Sequence, residues 1–140
     1  MPSIQDILPE PISDDQAEAI REIIIRKITG PVRMYVEAVR AVEAEYGKDT
    51  ARKLLYEDKW AARIANNPPP VPGEERSLNA FCTGLEHSCI GTHEWEKLEE
   101  TDTRHAYRFT RCAWAEVFQA LDAADIGFWI CESDGPGAKL

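Results

Sequence analysis

The run "NNPPPVPG", residues 66–73, limits the fold of this 140-residue chain more than any other feature. Its four prolines lack a backbone N–H and fix φ, so neither a regular helix nor a regular strand passes through it. Apolar residues recur at helical spacing before the run, and segments of strand length follow it. The sequence therefore predicts a helical first half, a linker, and a second half that contains β-structure.

The N-terminal segment predicts an extended arm followed by a capped helix. Residues 1–12 contain three prolines and no apolar periodicity, which is typical of an unpacked terminus. Ser13 and Gln16 are spaced for a capping box, in which each side chain accepts a hydrogen bond from the other residue's backbone N–H. Gly30 is a stop signal, so we expect a helix from Ser13 to Gly30.

Two more helices are expected before the proline run. Pro31 suits the first position of a helix, and apolar residues recur at helical spacing from there until Gly47. Asp49 is the expected cap of a third helix, in which Leu54 and Ile64 are available for burial. The first half is thus predicted to consist of three consecutive helices.

The second half predicts a short helix and a β-hairpin. Ser77 is the expected cap of a helix through "LNAFCTGLEH". The segments "THEWEKLEE" and "RHAYRFT" have the length of strands and flank "TDT", which is typical of a hairpin. Helical spacing returns after Cys112 and breaks near Asp122. We predict an α+β fold in which the helical N-terminal half packs against a small antiparallel hairpin sheet with a following helix, and in which residues 13–140 form a single domain.

The composition limits the location and the partners of the protein. Its length and its 44% of apolar residues suit one domain with a substantial core. A formal charge of -9 and a pI near 4.8 repel phosphate backbones and anionic lipid headgroups. The first residues have no basic or apolar signal region, and no run reaches the roughly 20 apolar residues that span a bilayer. We expect a cytoplasmic protein with reduced cysteines and with no nucleic-acid or membrane partner.

Cys112 lies where the predicted second strand meets the following helix. The positive end of a helix favours an anion, so a thiol at this place is expected to shift toward the thiolate. A thiolate attacks electrophilic carbon atoms or binds a metal, and Arg108 and Arg111 add positive charge nearby. The alternative is that Cys112 is a small buried apolar residue that closes the sheet onto the helix.

Cys131 and Asp134 form a second candidate pair, about one helical turn apart. A carboxylate beside a thiol can orient a water molecule or transfer a proton. Because "GFWIC" is apolar and "GPG" follows the aspartate, the same two residues also fit a core cysteine and a turn residue.

The segment "CTGLEHSCIGTH" is a third candidate, since it contains Cys82, His87, Cys89 and His93. These side chains are of the types that bind zinc, so a loop at this place could wrap a tetrahedral Zn²⁺. The spacing lacks the paired CxxC of a zinc knuckle, and a helix end with a partly buried thiol is the alternative. His87 or His93 could instead reach the catalytic cleft as a proton carrier. The sequence contains no nucleotide-binding motif, and no other cofactor is expected.

The segments "YRFTRCAWAEVFQAL" and "DIGFWICESD" resemble the L-2-amino-thiazoline-4-carboxylic acid hydrolase family. The family pattern has a strand that ends in Arg and Cys, a helix with an aromatic residue and an acid, a short break, and then a Cys and an Asp. The matching positions are Arg111, Cys112, Trp114, Glu116, Cys131 and Asp134. The helices before the proline run are similar to the family in a looser way.

This resemblance implies hydrolysis of a small cyclic amidine, in which water opens the thiazoline ring and leaves a carbamoyl-cysteine product. The candidate catalytic residues are Cys112, Cys131 and Asp134. Either the Cys112 thiolate or a water activated by Asp134 attacks the ring carbon, and the other group handles the proton. The candidate substrate-binding residues are Arg108, Arg111 and Tyr107. The two arginines are candidates because a guanidinium binds a carboxylate bidentately.

The family pattern continues past Asp134 with further strands, whereas this sequence ends at Leu140. We expect a shortened relative, a fragment, or one part of an assembly, and therefore a homo-oligomer or a partner chain that completes the sheet. The leading prediction is a hydrolase of carbon–nitrogen bonds with a small-molecule substrate. The alternative is a non-catalytic small-molecule or metal-binding module, or an accessory subunit of a larger enzyme.

Overall fold

The computed structural model describes residues 10–66 and 77–137, with side chains described as far as Ser133. The helices are α1 (Asp14–Tyr46), α2 (Lys48–Arg52), a π-helical turn (Lys53–Glu57), α3 (Asp58–Ala65), α4 (Leu78–Cys89), α5 (Ala113–Ala120) and α6 (Ala124–Gly137). The strands are β1 (His93–Glu100) and β2 (His105–Cys112), which form one antiparallel sheet. These elements confirm the predicted α+β class.

Helix α1 begins as predicted and ends much later. The Ser13 N–H donates to Gln16 Oε1 at 2.9 Å, and the Gln16 N–H donates to Ser13 Oγ at 3.2 Å, so the capping box is confirmed. The prediction of a break at Gly30 is wrong, because the helix continues through Pro31. Pro31 leaves the carbonyl of Lys27 without its helical donor, but a helix of 33 residues keeps enough other backbone bonds to continue.

The described residues group into two compact units. The first comprises the described parts of Met1–Ile28 and Glu75–Glu116, and the second comprises those of Thr29–Glu74 and Val117–Leu140. The single domain over residues 13–140 stays a prediction. Most of the predicted N-terminal arm and of the proline run lies outside the described residues.

The first unit contains the β-hairpin. The Thr101 N–H donates to the carbonyl of Arg104 at 2.8 Å, and the Arg104 N–H donates to Thr101 Oγ1 at 2.9 Å, which closes the predicted turn. Ser77 caps α4 as expected, since its Oγ accepts from the Ala80 N–H at 3.0 Å. Trp95 is 1% exposed, and the other buried apolar side chains of this unit are Cys82, Cys89 and Ala113.

The second unit has an aliphatic and aromatic core. Its buried residues include Val36 and Val39 of α1, Val117 and Phe118 of α5, and Ile126 and Trp129 of α6. The break between α5 and α6 lies at the predicted place, where Asp122 has a φ of 52°.

The region predicted as a third helix differs from expectation. Gly47, with a φ of 87°, is the N-cap of α2, so the helix begins at Lys48 rather than after Asp49. Leu54 and Ile64 are about half exposed, at 49% and 48%, so their expected burial is wrong. Within the described ranges, no helix combines the length and the apolar composition needed to cross a bilayer.

Candidate functional site

Cys112 lies beside His93 in the first unit. The two residues are partners in the antiparallel register, which places both side chains on one face of the hairpin. Cys112 Sγ is 3.2 Å from His93 Nε2. Both residues are partly exposed. A thiol and an imidazole at this separation can exchange a proton, which is what a cysteine nucleophile and its base require.

The other ring nitrogen of His93 contacts Thr92. His93 Nδ1 is 2.9 Å from Thr92 Oγ1. The same hydroxyl oxygen is 3.2 Å from the carbonyl oxygen of Cys89, the last residue of α4. The Thr92 N–H donates to that carbonyl as well, at 3.1 Å. The imidazole is therefore held between a thiol on one side and a hydroxyl on the other.

The start of α5 is tied to the same place. The Ala113 N–H donates to the carbonyl oxygen of Thr92 at 2.7 Å. Cys112 is the last residue of β2 and directly precedes α5, so its predicted position at the junction of strand and helix is confirmed.

Phe109 forms an apolar wall next to the imidazole. Its ring packs edge to face against His93, with centroids 5.4 Å apart. The ring centroids of Phe109 and Trp95 are 6.2 Å apart, and Phe109 is 46% exposed. A large aromatic ring that is half exposed beside a thiol and an imidazole offers a flat apolar surface to a small ligand.

The two arginines predicted to bind substrate have carboxylate partners. Arg111 Nε is 2.6 Å from Glu116 Oε1, and its Nη1 is 3.2 Å from Glu18 Oε2. The hydrogen bond to Glu116 is the largest cause that raises the pKa of Arg111. Arg108 pairs with Glu96 across the hairpin. A substrate carboxylate would have to displace a glutamate from Arg111, whose Nε, Nη1 and Nη2 all have carboxylate partners.

Tyr107 joins β2 to α4. Its hydroxyl donates to Glu86 Oε1 at 2.7 Å, and His105 Nδ1 is 3.3 Å from the same hydroxyl. Burial, and then the hydrogen bond to Glu86, raise the pKa of Tyr107. Its predicted role in substrate binding stays a prediction.

Cys131 and Asp134 belong to the second unit. Both lie in α6, so the helical spacing expected for them is confirmed, and Cys131 is exposed. The side chain of Asp134 is outside the described side chains. A site shared by Cys131, Asp134 and Cys112 stays a prediction.

The residues of the zinc alternative, Cys82, His87, Cys89 and His93, do not form one ligand set. Helix α4 continues through Cys89, where the zinc alternative required a loop that wraps the ion. Cys82 and Cys89 are thus about 10 Å apart along the helix axis, whereas a zinc–sulfur bond is about 2.3 Å long. In the part of the chain that the structure describes, no three His, Cys, Asp or Glu side chains are grouped closely enough to hold a metal ion. The alternative of a helix end with a buried thiol fits Cys89.

Thr92 was missed in the sequence, and His93 was considered there only as a zinc ligand or a proton carrier. A threonine that precedes a histidine carries no recognisable signal in a sequence. The contact of His93 with Cys112 depends on the pairing of the two strands, which residue spacing alone does not determine.

Comparisons of the chain with protein-family models, with curated proteins and with solved structures found no match. Membership in the thiazoline hydrolase family therefore stays a prediction.

Proposed function

We propose that the protein is a hydrolase that cleaves a carbon–nitrogen bond of a small amide or cyclic amidine, with Cys112 as the nucleophile and His93 as its base. The observation that supports this proposal is the separation of 3.2 Å between Cys112 Sγ and His93 Nε2. A nucleophile within hydrogen-bonding reach of a base, which a third group orients, is the arrangement that covalent hydrolases share. Here the third group is Thr92, 2.9 Å from the other ring nitrogen.

The first step is the formation of a covalent intermediate. His93 Nε2 accepts the thiol proton, and the sulfur forms a bond to the carbon of the C=O or C=N group, whose π electrons move to the heteroatom. When the tetrahedral adduct collapses, the carbon–nitrogen bond breaks, and His93 returns the proton to the leaving nitrogen. The product of this step is a thioester or a thioimidate on Cys112.

The second step consumes one water molecule. His93 Nε2 accepts a proton from the water while its oxygen bonds to the same carbon, and the carbon–sulfur bond then breaks. The proton returns to the sulfur, so the Cys112 thiol and neutral His93 are regenerated. The net reaction replaces a C–N bond by a C–O bond and adds a hydrogen to nitrogen.

The surroundings favour a small, flat substrate. Phe109, half exposed beside His93, can contact one face of a planar amide or amidine ring. The resemblance to the thiazoline hydrolases supports the same class of substrate. The same resemblance makes Cys131 and Asp134 a second candidate catalytic pair. Variants of these two residues and of Cys112 distinguish the two possibilities.

The proposal is tested by assaying the purified chain against a panel of small amides and cyclic amidines that includes L-2-amino-thiazoline-4-carboxylate. We expect Cys112→Ser and His93→Ala each to lower the turnover rate by about 100-fold or more, since each removes one member of the pair. His87→Ala is the matched control, because His87 is an exposed histidine of α4, and it should keep full turnover.

Three results would count against this assignment. Full turnover in Cys112→Ser and His93→Ala, with circular dichroism unchanged, would contradict the pair, and loss in Cys131→Ser or Asp134→Asn alone would favour the second pair. Absence of turnover on the whole panel, together with saturable binding of a panel compound, would support the alternative of a non-catalytic binding module.

We also propose that a second copy of the chain or a partner chain extends the sheet, and that the protein works in the cytoplasm. The sheet has two strands within the described residues, and a hairpin alone is marginally stable. The four cysteines, all of them in described elements, are not joined by disulfides, which agrees with a reducing compartment. A monomeric mass by light scattering at micromolar concentration, with no partner in a pull-down, would contradict the assembly.

A further inference from the structure

The hydroxyl of Thr92 has one proton and two neighbours, the carbonyl oxygen of Cys89 and Nδ1 of His93. A backbone carbonyl oxygen only accepts hydrogen bonds, so in the 3.2 Å contact with the Cys89 carbonyl the Thr92 O–H is the donor. The hydroxyl then has only lone pairs to offer to His93 Nδ1, at 2.9 Å. This place for the hydroxyl proton puts a hydrogen on His93 Nδ1, which donates it to Thr92.

A neutral imidazole has a single N–H, so a hydrogen on Nδ1 leaves Nε2 with a free electron pair. Nε2 is the nitrogen that lies 3.2 Å from Cys112 Sγ. This tautomer is the one in which the histidine can accept the thiol proton. In the other tautomer Nε2 would present its own hydrogen to the sulfur, and the thiol proton would have no acceptor on the ring.

We infer that Thr92 is a positioning residue that fixes neutral His93 in the Nδ1–H tautomer and so makes Nε2 the acceptor of the Cys112 proton. The catalytic consequence rests on the proposed function, whereas the state of the imidazole and the reactivity of the thiol do not.

The end of α4 is the reason why the Thr92 hydroxyl keeps its direction. The last carbonyl groups of a helix have no partner within the helix and lie at the negative end of its dipole, so they attract donors. The Cys89 carbonyl, at the end of this 12-residue helix, receives both the N–H and the O–H of Thr92. Turning the hydroxyl toward His93 would give up a bond at this oxygen.

The direct test is the tautomer of His93 in the full-length protein. Two-bond ¹⁵N–¹H spectra of histidine-labelled protein, recorded above the titration range of the imidazole, distinguish a nitrogen that carries hydrogen from one that does not. We expect a protonated Nδ1 and an unprotonated Nε2 for His93 in the wild type. A wild-type spectrum dominated by Nε2–H would overturn the inference without any variant.

Two substitutions test the role of the hydroxyl. Thr92→Val keeps the shape of the side chain but removes the acceptor for the Nδ1 hydrogen, so we expect Nε2–H to become the major form of His93. Alkylation of Cys112 by iodoacetamide at neutral pH should then slow by roughly tenfold. Loss of a partner that orients a metal-bound histidine has an effect of this scale. Thr92→Ser keeps the hydroxyl and should restore both the tautomer and the rate. Peptide mapping by mass spectrometry reads Cys112 separately, and Cys131 is the internal control.

The outcomes separate this inference from the proposed function. An unchanged tautomer and an unchanged alkylation rate of Cys112 in folded Thr92→Val would overturn the role of Thr92, even if the protein hydrolyses amides. The expected shifts without any hydrolysis would support the role of Thr92 and contradict the hydrolase. If Thr92→Val fails to fold, the wild-type spectrum still decides the tautomer, and Thr92→Ala, which also lacks the hydroxyl, replaces it in the comparison with Thr92→Ser.

Discussion

The hydroxyl of Tyr107 donates a 2.7 Å hydrogen bond to Oε1 of Glu86, which joins strand β2 to helix α4. The ammonium group of Lys97 lies 2.8 Å from the same oxygen. Burial acts to raise the pKa of Glu86, but the hydrogen bonds from Lys97 and Tyr107 outweigh it, so the pKa lies below its ordinary value of 4.5. Glu86 therefore stabilises this unit as an anion.

Acid should weaken the protein partly through Glu86. A carboxyl with a lower pKa in the folded state contributes stability that is complete above its unfolded pKa and is lost as the pH falls through the folded pKa. We predict that the free energy of unfolding, measured by urea denaturation from about pH 6 to about pH 3, falls less steeply in Glu86→Gln than in the wild type. Glu45→Gln changes an exposed position of α1, and its free energy of unfolding should fall with pH as steeply as that of the wild type. Equal slopes in all three proteins would contradict the prediction.

Among the described residues, no atom outside the neighbouring backbone of α4 lies within 4 Å of the place where a Cβ of Gly84 would be. Alanine fits there and reduces the freedom of the unfolded chain, so Gly84→Ala should raise the free energy of unfolding by about 0.5 to 1 kcal/mol. The described residues leave open space at Gly47 too, but its φ is 87°, so Gly47→Ala should lower the free energy of unfolding by about 1 kcal/mol. Urea denaturation of the two variants thus separates backbone conformation from available space. A stability loss in Gly84→Ala would contradict the prediction.

The parts of the fold that the sequence predicted are those determined by neighbouring residues. The capping box of Ser13 and Gln16 involves residues three positions apart, and so does the Ser77 cap. The turn between the strands depends on Thr101 and Arg104, which are also near neighbours. Short-range hydrogen bonds of this kind leave clear patterns in a sequence.

The site was predicted only in part, because its geometry depends on long-range pairing. The register of the hairpin has irregularities between Glu94 and Trp95 and between Lys97 and Glu99. The two shifts have opposite directions and cancel, so the pair His93 and Cys112 has the same register as the pair Glu100 and His105 next to the turn. A sequence shows neither where the turn closes the register nor whether such shifts cancel, so the contact could not be predicted. The position of Cys112 before a helix was predictable because it depends on local sequence.

At Pro31 the prediction from local sequence is wrong, because the longer helix continues through the proline. The sequence predicts a helix start at Pro31, yet α1 continues through it. Pro31→Ala would restore a donor to the Lys27 carbonyl and remove the ring, so we predict a gain in the free energy of unfolding of about 1 to 3 kcal/mol. Pro31→Gly restores the donor but adds backbone freedom, and its gain should be about 1 kcal/mol smaller. Chemical denaturation measures both, and a loss in Pro31→Ala would show that the proline is needed.

Gly127 of α6 lies against the side chain of Phe118. A Cβ at this glycine would be 2.7 Å from Cγ and 2.9 Å from Cβ of Phe118, which is closer than real contacts allow. Phe118 is 2% exposed, so its ring cannot move away without disturbing the core of the second unit. Although alanine is the better helix former, we predict that Gly127→Ala lowers the free energy of unfolding by about 1 to 3 kcal/mol.

A double-mutant cycle tests whether this cost comes from the contact itself. A Phe118→Ala background removes the contacts with the ring but keeps Cβ of residue 118, which would lie 2.9 Å from the new methyl group, so Gly127→Ala should cost less there than in the wild type. The coupling between the two substitutions, obtained from urea denaturation of the four proteins, should reach about 1 kcal/mol or more. Additive effects would show that the ring of Phe118 is not the source of the cost.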